Sequence, residues 1–382
     1  MLKKLMYIFG AIILVAGSIS SGLYAVNRSW DGGGDDNNWS TAENWDGVVS
    51  GGEGLAFGGS TRTTNNNDLP GGTSFGLIRF NNEIFTVGGN SVILTDGIWN
   101  LIGMNTFNCD ISLNNVSQQF SNDVGLLTLG GAIDLGNATL TVEGDTTLLS
   151  GVISGTGGIT RSGGSGITTL SATNTYSGAT TISSGTLNVT GSISDSTVTI
   201  SGGVLTGSGT VGDLNVNNGG SFSPGESTGT LVAQDTTWAA GGKYIWEIND
   251  AAGTKGDPTG WDWLNIPGGG DVLDVTATSE STFTIEVSSM GGDAANFDNS
   301  QNYTWIIASA AGGITGYSAD KFTVDNSAFT NALGGGAFGI SQSGNDINIT
   351  FAAVPEPSTV GLFLIAIPFI GWFARKRKRA HT

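Results

Sequence analysis

Any chemistry in this chain has to come from carboxylates. Its only histidine is His381, the second-last residue, and its only cysteine is Cys109. A Ser-His-Asp triad, a Cys-His pair and a His-ligated metal are therefore excluded from the body of the protein. Three acidic pairs remain: Asp35 with Asp36, Asp257 with Asp262, and Asp271 with Asp274. Carboxylate pairs hydrolyse glycosidic bonds, and calcium beside a basic residue supports polysaccharide elimination. Asp35 and Asp36 sit in a Gly/Asn-rich turn, where aspartate is expected anyway. Asp271 and Asp274 have odd spacing, so on a strand they would point to opposite faces. No pair has a basic residue beside it. The glycine-rich stretches lack the strand-to-helix context of a phosphate cradle. The nonapeptide calcium repeat is absent as well. The expectation is a protein that is not an enzyme and carries no metal or cofactor, with Cys109 a small buried apolar residue.

The elements that would position such groups are short and numerous. Glycine accounts for 63 of 382 residues and charged residues for only 12%, about double and about half their usual shares. Ser, Thr, Asn and Gly fill the gaps between β-branched runs, the palette of an all-β protein with many turns. No 3.6-residue apolar stripe crosses the body, so helices are expected to be nearly absent there. All 32 acidic residues but only seven of the 14 basic ones lie between Val26 and Pro357, a charge of 7 − 32 = −25. That field repels phosphate backbones, so no nucleic-acid partner is expected.

Three zones follow one another. Residues 26–70 hold Trp30, Trp39 and Trp45 among glycines and polar turn formers. Such tryptophans can stack on sugars, but they are expected to cap the open end of the β-structure that follows. Residues 71–234 are repetitive. Ile182-Ser-Ser-Gly-Thr-Leu187 is echoed by Ile200-Ser-Gly-Gly-Val-Leu205 and, with one extra residue, by Val216-Asn-Asn-Gly-Gly-Ser-Phe222, so the leading residue recurs after 18 and then 16 positions. Repeats of about 20 residues holding tiny strands predict a solenoid in which each coil stacks on the last. Inward Ile, Leu and Val alternate with outward Thr, Ser and Asn, as in Thr139–Val142 and Thr197–Ile200. Residues 235–353 stay β-rich, with longer, more aromatic strands such as Lys243–Ile248 and a last one at Ile347–Phe351. They are expected to continue the coils and close them with a cap; a small separate sandwich is the alternative.

Residues 155–187 carry the strongest landmark: Leu170-Ser-Ala-Thr-Asn-Thr-Tyr176-Ser-Gly178, then Thr181-Ile-Ser-Ser-Gly185-Thr-Leu187. This segment resembles the autotransporter-associated β-strand repeat, with Arg161 where lysine is common in that family. The resemblance implies a right-handed parallel β-helix like that of a passenger domain. No autotransporter barrel segment follows it, so self-export is not expected.

The two ends read as addresses. Met1-Leu-Lys-Lys, an apolar run from Leu5 to Val15 and small residues to Ala25 have the three parts of a secretory signal peptide, 1–25, cleaved by signal peptidase after Ala25. At the other end Val354-Pro355-Glu356-Pro357-Ser358 precedes an apolar stretch over 359–374 and then Arg375, Lys376, Arg377, Lys378 and Arg379. A helix there rises about 24 Å, enough to cross a locally thinned bilayer, and the basic cluster is the membrane stop signal that stays cytoplasmic. Residues 354–382 resemble the PEP-CTERM sorting signal of Gram-negative bacteria. The resemblance implies recognition of Pro355, Glu356 and Pro357 by an exosortase, removal of the helix and an association with exopolysaccharide.

Together these features predict an exported structural or adhesin-like protein of the cell surface or extracellular matrix. The membrane would hold it only in transit. A β-helix polysaccharide hydrolase or lyase is the alternative. A lattice-binding surface of regular threonines is a third class, disfavoured because Asn, Asp and Ser interrupt the outward threonines.

Overall fold

The computed structural model describes residues 28–82 and 84–355. The signal segment with Ala25, the sorting residues Glu356 and Pro357, the span 359–374 and the cluster Arg375–Arg379 lie outside the described residues. So do the two helices expected there.

Short strands are what this sequence permits. Runs of three to five β-branched residues end at Gly, Asn or Ser, too little chain to bury a face alone. They gain stability by stacking. Thirteen strands, from Arg28–Trp30 to Ile314–Thr315, form one continuous parallel sheet. At a spacing of ~4.8 Å that sheet is about 58 Å long. A second sheet runs in parallel from Thr64–Asn67 to Phe322–Ala328. A third takes the remaining side of each coil, passing through Ile111–Ser112, Ile133–Asp134, Ile153–Ser154, Ser192–Ile193 and Thr210–Val211. The chain is thus a three-sided parallel β-helix. The parallel ladder begins inside 26–70 and passes residues 70 and 234 without a break.

The repeat expected from sequence is the register of the solenoid. Ile182 pairs with Ile200 and Ile200 with Val216; Leu187 pairs with Leu205 and Leu205 with Phe222. The extra residue of the third copy is absorbed in a turn closed by Gly220 N donating to Asn217 O at 2.9 Å, with Gly219 at φ +81°.

One column of inward side chains shows how the core is built. Ile78, Ile98, Phe120, Val142, Arg161, Ile182, Ile200, Val216 and Trp238 occupy equivalent positions in successive coils, and all are fully buried. Arg161 is the exception in kind. Its Nη1 donates to the carbonyls of Val142 at 3.2 Å and Gly163 at 2.9 Å, and its Nη2 to those of Gly144 at 2.9 Å and Gly166 at 2.7 Å. Burial lowers its affinity for the proton, opposed by the nearby Glu143 carboxylate.

The guanidinium ends a polar ladder along the same corner. Asn105 Nδ2 donates to Asn100 Oδ1 at 2.7 Å, and Asn100 Nδ2 to Asn122 Oδ1 at 2.8 Å. In the next coil the equivalent residue is Gly144, at φ +88°, where a Cβ would lie 2.0 Å from Asn122 O. Only glycine fits there, and its carbonyl receives Arg161 Nη2 of the following coil, while the room for that guanidinium comes from Gly185, where a Cβ would lie 2.5 Å from Nη2. Asn122→Ala breaks this ladder and leaves a buried amide and carbonyls unpaired. The expected loss is about 1–3 kcal/mol, to be read from the urea unfolding midpoint.

The ends are closed differently. Trp30, Trp39 and Trp45 are buried inside the first coil, where Trp30 and Trp45 meet edge to face at 5.0 Å and Trp39 donates its indole N–H to Asn65 Oδ1 at 2.8 Å. They are not free to stack on sugars. At the other end Tyr303–Ala310 turns the third sheet antiparallel by pairing with Asp346–Ala352, which pairs in turn with Ala337–Ser343. This hairpin covers an edge that would otherwise template association. The coils before it are long: Lys243 pairs with Thr284 and Thr284 with Thr323, partners much further apart in the chain than Ile182 and Ile200 are. Their interior is filled by aromatic pairs, Phe222–Tyr244 at 4.3 Å and Trp238–Phe283 at 4.9 Å. Among the described residues the only helices are two 3-10 turns, and no helix is long and apolar enough to cross a membrane.

Candidate functional site

Of the acidic pairs, Asp36, Asp257, Asp262 and Asp274 are engaged in local turns or in hydrogen bonds between strands and coils. Asp36 caps its own turn, accepting from Asn38 N at 3.0 Å, and that bond holds its carboxyl below the ordinary range. Asp257 does the same with Thr259 N at 2.8 Å. Its expected partner Asp262 is fully buried instead. Asp271 precedes its strand rather than lying on it, while Asp274 faces outward and accepts from Thr315 Oγ1 at 2.7 Å. Cys109 is buried, which with Asp110 pushes its thiol up to about 12, so it is no nucleophile at neutral pH. Of the sorting residues only Pro355 is described; it is exposed, just past the last strand.

What the register does assemble is a face. On the first sheet Thr141, Thr160, Thr181 and Thr199 stand in adjacent coils without interruption, followed by Asn215, Thr237, Asp274 and Thr315. Two positions on, Ser162, Ser183 and Ser201 repeat beside them. The result is two ranks of hydroxyls at the coil spacing of ~4.8 Å, more regular than the sequence suggested. At the edge of the same sheet Asp213, Asp235 and Asp271 come close in successive coils. Asp213 is raised by burial and then by the other two carboxylates.

The second sheet carries a different feature. Glu247 faces outward from Lys243–Ile248, beside a loop at Gly225–Gly229. Asp262 ties that loop to the strand: its Oδ1 accepts from Gly229 N at 2.9 Å and its Oδ2 from Glu247 N at 3.0 Å. Burial and the Glu247 charge push the Asp262 carboxyl well above its ordinary range. Burial also raises Glu247, opposed by the Ser223 hydroxyl and reinforced by Glu286. Lys243 does not compensate them, because its Nζ is paired with Glu286 Oε2 at 2.7 Å. Sequence reasoning missed Glu247 because a lone outward glutamate on a strand carries no local signal.

The folded state holds the Asp262 proton more tightly than the unfolded chain does. Its contribution to stability is therefore present below the ordinary carboxylate range and is lost as pH rises through its higher folded value. The Asp262→Asn variant lacks this titration. The urea midpoint of the native protein should gain on that of the variant between pH 7 and pH 5; a constant difference would show that Asp262 does not titrate as described.

The passenger-associated-transport-repeat family matches residues 163–189. The matched stretch is slightly more than one coil, taking in Ile167–Leu170, Thr180–Ile182 and Thr186–Val189, one strand of the first sheet between two of the second. No curated protein matches the chain. The chain thus carries a repeat similar to those of transported passenger domains, set within the continuous solenoid.

Proposed function

We propose that the protein is an exported, non-enzymatic rod of the cell surface or extracellular matrix. Its repeated hydroxyl faces engage polysaccharide or other surface components. The observation that carries this reading is the uninterrupted rank Thr141, Thr160, Thr181 and Thr199 with its neighbouring serines. Each hydroxyl makes a weak contact. Fixed at the coil spacing on one stiff face, many such contacts add by multivalency. The similarity to a passenger repeat supports export, and so do the resemblances at the two ends. Signal peptidase would act after Ala25 and an exosortase near Pro355, Glu356 and Pro357. The inner membrane would hold the chain through 359–374 only until then.

Two experiments test this. Terminal sequencing of the surface-exposed chain should find the N-terminus near Val26 and no Arg375–Arg379 tail; an intact tail would contradict sorting by an exosortase. Incubation of the purified protein with neutral and acidic polysaccharides should give retention without product release. Replacing Thr160, Thr181 and Thr199 together by glutamate should weaken that retention by about tenfold or more. Released oligosaccharides would replace the structural reading with an enzymatic one.

A further inference from the structure

The second sheet has a stretch unlike the rest of the surface. Its eight successive rungs, from Thr64–Asn67 through 126–129 and 146–149 to Val204–Gly207, contain no Asp, Glu, Lys or Arg, in a chain with 32 acidic residues. Asp123 and Asp145 lie on the corner before them. The outward residues form two ranks. One is Thr64, Thr86, Thr106 and Thr128 in adjacent coils. Beside it runs an apolar rank of Ile84, Met104 and Leu126, then Thr146 and Ile167. Ile84 and Met104 are each 64% exposed. With Ile102, Val124 and Ile167 they make up half of the ten large apolar side chains that stand exposed among the described residues, so the clustering marks a binding face. No aromatic ring faces outward from these rungs for a sugar to stack on. Aliphatic side chains of this kind gain most against another apolar protein surface.

The two ends of this face carry opposite charges. Arg62 stands two residues before Thr64, the position that Ile84 and Met104 hold in the next two coils. It is half-buried, its Nε has no hydrogen-bond partner, and among the described residues it joins no ion pair. At the far end the loop Gly225–Gly229 folds back over the sheet, fixed by two backbone hydrogen bonds of 2.9 Å between Gly207 and Gly225. Glu226 on that loop is exposed, accepts from Asn188 Nδ2 at 2.7 Å and has no cationic partner among the described residues. We propose that two copies of the chain associate through this face, side by side and antiparallel. A two-fold axis crossing the rods between Leu126 and Thr146 sets Met104 of each copy against Ile167 of the partner subunit. The same axis sets Arg62 against Glu226 of the partner subunit. Parallel copies would bring like charges together at both ends. Acidic bodies repel across a charged contact, and rungs without charges remove that cost. Eight rungs span about 34 Å and a rung about 17 Å, so two copies cover roughly 1,150 Å2. That clears the ~1,000 Å2 of a specific interface and sits at its low end, as suits a reversible dimer.

The dimer does not depend on the polysaccharide reading, and it leaves the hydroxyl ranks of the first sheet outward on both copies. Sedimentation equilibrium of the purified exported protein should show a reversible monomer–dimer exchange in the micromolar range. Met104→Glu, at an exposed position, should weaken it at least tenfold by burying an unpaired charge, while thermal unfolding stays unchanged. Arg62→Glu and Glu226→Arg should each weaken it about tenfold by setting like charges together. The two combined should recover most of that loss, which a local effect of either residue on its own coil would not produce. A protein that stays monomeric at about 100 μM, a dimer indifferent to Met104→Glu, or a double variant no tighter than the single ones would overturn the proposal.

Discussion

Arg161→Met is expected to lower stability by about 3–5 kcal/mol, among the largest effects of any single replacement here. The residue stands in a column of Ile, Val, Phe and Trp, and a methionine fills comparable volume. Hydrophobic matching alone therefore predicts little change, or even a gain, because buried ionic groups are often weaker than apolar ones of the same shape. Here the guanidinium has no buried carboxylate to be removed along with it. Its partners are the carbonyls of Val142, Gly144, Ser162, Gly163 and Gly166, fixed by the corner's backbone. Methionine removes these bonds. The carbonyls of Val142, Gly163 and Gly166 each keep a backbone donor, from Ser162, Gly144 and Thr186. The full cost of an unpaired buried carbonyl, about 1–3 kcal/mol before relaxation and water entry, therefore falls at most on Gly144 and Ser162, with smaller losses at the other three. Arg161→Lys keeps the charge but has three donors instead of five, so an intermediate loss is expected. Urea unfolding followed by tryptophan fluorescence orders the three proteins as Arg, Lys, Met. A methionine variant as stable as the native chain would show that the corner does not depend on these bonds.

The second large effect comes from deletion. Ile182 and Ile200 are register partners in adjacent coils. Removing residues 183–200 joins Ile182 to Ser201 and excises one complete coil. Val204–Gly207 then stacks on Ile167–Leu170, and Leu214–Val216 on Thr180–Ile182. Because a solenoid's stability is close to a sum over coils and their interfaces, the shortened protein should fold and unfold cooperatively, with only local losses such as the bond from Ser196 to Thr180. Removing residues 183–191, half as many, should be far more damaging. That deletion takes out Thr186–Val189 of the second sheet but keeps Ser192–Ile193 of the third, so every later strand is displaced by one side of the coil. Circular dichroism should show a cooperative β-type melt for the longer deletion and none for the shorter. The reverse order would contradict a coil-by-coil architecture.

The legible part of the fold was the part with tight spacing. Ile182, Ile200 and Val216 repeat with intact turn residues, and their pairing followed directly from the sequence. Beyond Lys243 the coil length roughly doubles because of the loops before Trp263 and Tyr303, so the same stacking leaves no countable period. The hydroxyl rank was hidden for a related reason. Thr141, Thr160 and Thr181 are unevenly spaced along the chain, and turns of unequal length blur the alignment that the ladder restores. Arg161 was visible as a departure from lysine, but its burial was not, since the room for it comes from the bare Gly185 of the next coil, where a Cβ would lie 2.5 Å from the guanidinium. The Glu226–Asn188 contact joins distant parts of the chain through a folded-back loop, which no local pattern encodes.

The central claim is the register of the parallel ladder, and paired cysteines on its outer face test it most directly. Neighbouring coils place equivalent Cα atoms ~4.8 Å apart, inside the window for a disulfide, whereas two coils are about 9.6 Å apart and outside it. Thr160→Cys with Thr181→Cys, and Thr181→Cys with Thr199→Cys, should each oxidise readily in the folded protein, while the buried Cys109 stays silent. Thr160→Cys with Thr199→Cys should remain reduced. Efficient bridging of that last pair, or failure of both neighbouring pairs, would contradict the solenoid.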